Sequence, residues 1–558
     1  MKMNQLKDKL SILKSHWTTP PPNYQVSYKE FLSFSLGSGG FSFISVLVVW
    51  TTLAMNIPLM VSYFHVSTGL IFFLTMTASL IGLIRAPILS MIIDNSRSLK
   101  GKFKPFLLVG VLGAGICFCL IPYIPSEWVE TLLFSISVPE LPIFGVDAST
   151  ISISLGVLVM FLLLQIGSFF STLLTQSLGG IEQTISTVAQ ERANISSFKN
   201  IIGKIPESVI NIVMPLIAGA FFASGTASGM NNIMLYRIFF PICAIGGVIF
   251  VLFAYRGTKE RTVVDKQYVN KVKFSDGVKE LSKNKYFWII TVFSIFIGIR
   301  AHSNIYLWIC TYAIGGQAGD TALAICNAVL NMAFLPGLIL APMLIKKFGK
   351  RKLIVVANIF CVGTILLQLF VLKNPYIILV LIFFQNLLKG AEFITAIMVS
   401  DVLDYQQWKT GRRLEGFWQN YHGFILTAAG LFTGILVPLF LSFAGIGFGV
   451  GIDTALQDSR LMSGAFRNIT LLALLGSIVS MIPMFFYDLT EKKHANYIRA
   501  LKLRAAVKNY QGNNLAEEDI VNVKKILEYY KETQDGFIKD EIDKHACLND
   551  IAAQGSAG

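Results

Sequence analysis

Apolar runs of about 20 residues recur along almost the whole of this chain, each long enough to cross a bilayer as an α-helix. A hydrocarbon core offers the backbone no water, so a spanning segment must satisfy its own hydrogen bonds. Continuous apolar runs do this as helices, whereas a spanning barrel would show alternation. Twelve spans are expected, near residues 30–60, 67–93, 105–124, 151–178, 200–224, 233–255, 286–313, 322–345, 353–372, 376–400, 416–443 and 465–488. Only 14% of the 558 residues are charged and 54% are hydrophobic. Soluble domains carry roughly 25% charged residues, so a single water-soluble core is excluded and the fold class is an all-α polytopic membrane protein.

The formal net charge of +14 does not point to nucleic acid. The basic residues sit in short loops and in the terminal segments, the pattern of a positive-inside membrane protein. Arg97, Lys100, Lys102 and Lys104 fill one loop, and Lys346, Lys347, Lys350, Arg351 and Lys352 fill another. Segment 125–150 carries Glu127, Glu130, Glu140 and Asp147 with no Lys or Arg, and is expected as an external hairpin or cap. Both termini are therefore expected in the cytoplasm, with the chain in the inner (plasma) membrane. The organisation that follows is a polar lead-in over 1–27, a six-helix bundle over 28–255 and a basic cytoplasmic loop over 256–285. A second six-helix bundle over 286–488 and a partly helical cytoplasmic tail over 489–558 complete it.

No H-E-x-x-H, G-x-S-x-G or P-loop occurs, and neither the seven cysteines nor the six histidines show metal-ligand spacing. No enzyme activity, metal or cofactor is expected. The two halves echo each other: KGKFKP after the second span corresponds to KKFGKRK after the eighth, and QERANISSFK after the fourth to the Arg412–Glu415 region after the tenth. Repeated halves about an axis normal to the membrane are a transporter layout.

Two charged motifs specify the kind. DNSRSLKGKFKP, Asp94 to Pro105, resembles the helix II–III loop of the glycoside–pentoside–hexuronide cation symporters, the melibiose-permease group of the major facilitator superfamily, through Asp94, Arg97, Ser98, Gly101, Lys102, Phe103, Lys104 and Pro105. DVLDYQQWKTGRRLEG, Asp401 to Gly416, resembles their helix X–XI loop through Asp401, Asp404, Tyr405, Trp408, Lys409, Arg413 and Glu415. The resemblance covers about residues 28–490. It implies a major-facilitator fold of two six-helix bundles around a central cavity, and a secondary transporter that moves a sugar-like solute by alternating access. Asp94, Arg97, Lys102, Asp404, Arg413 and Glu415 suit a cytoplasmic gate whose ion pairs exchange as it opens. Plain positive-inside anchors are the alternative reading.

The chain departs from that family at its chemical centre. Aligned on Pro87, the two helix-II aspartates of the sodium-coupled members are Gly82 and Ala86, and the helix-XI lysine is Thr427. The galactoside-binding Asp and Trp of helix IV align with Thr175 and Gly179, the helix-I Asp with Ser42, the helix-X Trp with Glu392, and the helix-V Arg with Lys199. Coupling through the family's sodium site is therefore not expected.

New charges stand instead. Arg85 lies nine residues before Asp94, about 13 Å deeper on a helix, and Glu392 lies at similar depth before Asp401. Lys389 is one turn further in, and Arg300, His302 and Asn304 fall within span seven. Ionisable groups at membrane depth are costly and by default functional. Arg85, Thr175, Gln176, Lys199, Arg300, Asn304, Lys389 and Glu392 form the candidate solute site, with Glu392 and then His302 as proton carriers. Structural readings stand beside these: a local Lys389–Glu392 pair, an Arg85–Glu392 tie, a buried neutral His302, a snorkelling Arg300, and Thr175 and Gln176 as helix glue. The excess of Arg85, Arg300 and Lys389 over Glu392 favours an anionic solute such as a uronide, since the guanidinium fork matches carboxylate. The partners expected are a small solute, a proton and the bilayer. A lysolipid carrier, and a non-transporting membrane sensor on the same scaffold, are the competing functions.

Overall fold

Local chemistry starts most of the long helices. Tyr28–Thr51 (α1) and Thr68–Asp94 (α2) are followed by Lys104–Leu120 (α3), which has Pro105 in its first turn, where the missing N–H is not needed. Leu155–Thr184 (α4) begins at Ser154, whose hydroxyl accepts from Val157 N. Ala189–Ile217 (α5) contains Pro206 and Pro215, and Ile233–Gly257 (α6) is capped by Asn232. The computed structural model describes residues 14–22, 24–51, 59–94, 101, 103–138, 149–186, 189–260, 274–301, 305–371, 374–387, 394–411, 415–447, 449–450, 452–512, 515, 517–545, 547–548 and 550–551.

The second half runs through Lys285–Ala301 (α7), Gly316–Phe348 (α8), Lys350–Phe370 (α9), Pro375–Leu387 (α10), Ile394–Thr410 (α11), Glu415–Thr433 (α12) and Ser459–Phe485 (α13). Span seven continues beyond α7 as Ile305–Trp308 and a π-helical turn over Ile309–Ile314. Among the described residues, ten helical segments are long and apolar enough to cross a membrane. The remaining two expected spans fall on α8, a 33-residue helix, and on α10 with α11. Apolar side chains such as Ile116, Ile245, Phe370 and Phe432 are exposed on the helices, as lipid-facing surface requires.

In the first half α1 packs on α5 and α6, and α3 on α4 and α6. The α1–α6 approach is backbone-close: a Cβ at Gly40 would meet Gly247 O at 2.7 Å, so small residues set this contact. In the second half α7 and α9 pack on α13, and α8 on α10. The halves meet where α5 packs on α8 and α2 on α12.

Two expectations gain detail. Segment 125–150 contributes to an antiparallel hairpin, Leu132–Val138 (β1) paired with Ser149–Ser154 (β2). The tail is a folded unit of Glu491–Gln511 (α14), Glu517–Thr533 (α15) and Gly536–Asp543 (α16). It has its own core of Leu503, Val507, Val523, Ile526, Ile538 and Ile551. One expectation is corrected: the 401–416 motif is not all loop. Helix α11 runs to Thr410, because no Gly or Pro interrupts residues 394–410, and it stops at Gly411, where φ is +74°.

Candidate functional site

The seam between α2 and α12 is built from small residues one turn apart. Thr75 stands 3.5 Å from where a Cβ at Gly434 would lie, Ser79 Oγ 3.8 Å from one at Gly430, and Thr427 Cγ2 3.6 Å from one at Gly82. The helices thus run antiparallel in a fixed register, each step of three or four residues on α2 matched by one on α12. Gly82 and Thr427, which resemblance alone assigned to a cation site, do face each other. Neither residue carries a carboxylate or an amine, so this contact between α2 and α12 is uncharged.

Arg85 sits one turn further along α2, half-buried, with a guanidinium nitrogen 3.9 Å from the position of a Gly82 Cβ. Among the described residues no acceptor lies within hydrogen-bond distance of it. A fixed positive charge therefore stands beside Gly82 in the α2–α12 seam. The same register brings His422 on α12 to the depth of Arg85. Its ring stacks on Trp418 at 6.2 Å, and its buried Nε2 has no hydrogen-bond partner among the described residues. Sequence reading passed over His422 because it was weighed only as a metal ligand. Its signal was a histidine five residues before Thr427 in the same apolar run.

The other expected solute contacts are dispersed. Arg300 on α7 is buried and donates to Asn358 Oδ1 on α9 at 3.2 Å, so it is turned into the second half. Thr175 on α4 is exposed and its hydroxyl donates to Ser171 O at 2.9 Å; Gln176 is half-buried. Lys199 on α5 is paired with Glu182 on α4 at 2.6 Å, a tie within the first half. His302, Asn304, Lys389 and Glu392 lie outside the described residues.

At the end that carries the basic loops, the motifs are held within their own halves. Glu260 accepts from Phe103 N and Lys104 N, each at 3.0 Å, and Lys104 Nζ donates to Thr258 O at 2.9 Å. Asp401 is paired with Lys350 of the other basic loop. Asp404 is engaged by the tail: His494 Nε2 lies 2.9 Å from its Oδ2, and His494 Nδ1 lies 3.6 Å from Asp401 Oδ1. The tail also covers Trp408, against which Tyr497 and Phe537 pack at 4.7 and 5.4 Å, while Arg504 donates to its carbonyl at 2.7 Å. Arg97, Lys102 and Arg413, with the side chains of Asp94 and Glu415, lie outside the described residues.

Comparison with known proteins gives this arrangement a setting. Residues 33–491 match the family described as MFS/sugar transport protein. The uncharacterized symporter YnaJ of Bacillus subtilis is 24% identical over 80% of this chain and 92% of its own length. The putative sulfoquinovose importer of Escherichia coli is 23% identical over 74% and 81%. In overall fold the chain superposes on a D-xylose–proton symporter with TM-score 0.52 at 16% identity, over 81% of this chain and 97% of that one. That likeness establishes the major-facilitator fold of two helical bundles.

Proposed function

Because the chain belongs to the MFS/sugar transport protein family and is a multi-pass membrane transporter, we propose that it carries an anionic sugar by alternating access, coupled to protons rather than sodium. The single observation that carries this reading is Arg85, a half-buried guanidinium with no partner among the described residues, in the α2–α12 seam between the halves. A charge in that position is stabilised by a counter-charge, and a carboxylate or sulfonate on the solute supplies one through paired charge-assisted hydrogen bonds. The importer relative's named sugar, sulfoquinovose, is itself sulfonated, which supports the same class for this chain.

The loss of both aligned carboxylates at Gly82 and Ala86 supports the absence of sodium coupling, since a sodium site needs oxygen ligands and the fixed Arg85 charge repels a cation. Glu392 and His302 remain the proton carriers proposed from sequence, and His422 joins them at the depth of Arg85. The halves are assigned to 28–255 and 286–488, with both termini and the basic loops in the cytoplasm. Asp94, Arg97, Lys102, Asp404, Arg413 and Glu415 form the inner gate.

Titration of the purified protein with a sugar uronate, a sulfonated sugar and the matching neutral sugar tests the solute class. The anionic sugars should bind more tightly, and Arg85→Ala should weaken them about tenfold or more while leaving the neutral sugar unchanged. Equal affinity for neutral and anionic sugars, unaffected by Arg85→Ala, would contradict the proposal.

A further inference from the structure

One buried acid is unused by this account. Asp320 lies near the start of α8, at the end opposite the basic loops, and is 1% exposed. Its Oδ1 accepts from the Ser228 hydroxyl and its Oδ2 from Gly229 N, the latter at 2.6 Å. Both donors belong to the connection between α5 and α6, in the other half. Asp320 does not act alone. Gly316 N donates to Thr226 O at 2.9 Å, and Asn327 Nδ2 donates to Asn211 O on α5 at 2.7 Å. Residues 316, 320 and 327 are spaced i, i+4, i+11, which places them within roughly 40° on one face of α8. All four partners, Thr226, Ser228, Gly229 and Asn211, come from the first half.

The backbones touch at the head of this stripe. Gly315 and Gly316 adopt φ of +68° and +56°, and a Cβ there would meet Thr226 O at 2.6 Å and Gly225 O at 2.5 Å. From these contacts we propose that the stripe centred on Asp320 is the latch that closes the transporter at the end opposite the basic loops, and that its release is a step of the transport cycle. The inference rests on the alternating-access reading and does not depend on the identity of the solute. A buried carboxylate is tolerated only while hydrogen-bonded. When the halves part, water replaces the Ser228 and Gly229 donors, so the exchange of partners is nearly balanced. That makes the latch reversible, as a bistable gate requires.

Hydrogen–deuterium exchange on the full-length protein in nanodiscs, without solute, tests this. Asp320→Ala should speed exchange over residues 224–232 and 315–320 by about tenfold or more. It should also slow exchange over 85–94 and 415–423, because that end closes as the other opens. The second readout separates a gate from a local prop. Ser228→Ala, which removes one donor, should give the same pattern at smaller size, and it decides the matter if Asp320→Ala unfolds. Faster exchange over 224–232 with no slowing at the far end, or no change at all, would overturn the latch. Because no solute is present, failure here is distinguishable from failure of the anionic-sugar reading.

Discussion

The two ends of the molecule satisfy their polar groups in opposite ways. At one end the halves share hydrogen bonds: Asp320 with Ser228 and Gly229, Asn327 with Asn211, and Thr68, whose hydroxyl donates to Gly447 O at 2.9 Å. At the end with the basic loops, the contacts seen among the described residues lie within one half or reach the tail. Glu260 holds the first motif, Lys350 holds Asp401, Lys285 holds Asp488 at 2.7 Å, and His494 holds Asp404. The lesson is that, among the described residues, the side-chain hydrogen bonds that join the halves gather at the end opposite the basic loops. A charge that does not join the halves need not be idle; a local partner stabilises it.

Three changes sharpen or break this contrast. The largest effect is expected from Gly316→Val, which joins a positive-φ backbone to a collision with Gly225 O. Strain of that kind costs on the order of 1–3 kcal/mol before the clash is counted. Thermal unfolding should shift down, and a substitution tolerated without loss would mean the backbones do not meet.

At the other end, Arg504 bridges Glu541 through two hydrogen bonds of 3.0 and 2.9 Å, and Glu541 is 1% exposed. Arg504→Ala removes one partner of a buried acid. Because Arg504 is partly exposed and Lys544 still contacts Glu541 at 2.9 Å, the loss should be about 2 kcal/mol rather than the larger cost of a fully buried pair. Proteolysis within the tail should accelerate while residues 28–488 stay resistant. Equal resistance of the tail would show that its docking does not depend on this contact.

The smallest effect is a response to acid. Burial pushes the Glu541 carboxyl up, but the hydrogen bonds from Arg504 and Lys544 prevail and hold it below its ordinary 4.5. The side-chain bond from Asn496 holds Asp535 below its ordinary 3.8. Groups with depressed folded-state values stabilise above the ordinary value, and that stability is lost as pH falls through the folded value. The tail should therefore be unchanged between about pH 7 and 5 and loosen only below about pH 4. Amide exchange over 491–551 against pH reads this, and loosening already near pH 6 would contradict it.

Much of the architecture was legible because a bilayer leaves few options: apolar runs give the spans, and basic loops mark one end. Arg85 was legible as a lone cation in an apolar run, and Gly82 and Thr427 as a vacated pair. Asp320 was not recognised, although it is the only acidic residue between Glu280 and Glu392. Its role depends on donors about 90 residues away, which periodicity does not reveal. The docking of α14 on α11 was hidden for the same reason. The tail reads as helical, but nothing local ties His494 to Asp404 or Tyr497 to Trp408. The helical course of the second motif to Thr410 was masked by its high charge, which resembles a loop in composition while the backbone meets no breaker.

The most direct test of the central claim is uptake of a labelled sugar uronate or sulfonated sugar into proteoliposomes under an imposed proton gradient and, separately, a sodium gradient. Proton-driven accumulation, lost in Arg85→Ala and indifferent to sodium, is the predicted result. Sodium-driven accumulation, or uptake that survives Arg85→Ala at full rate, would contradict the replacement of the cation site by a fixed guanidinium.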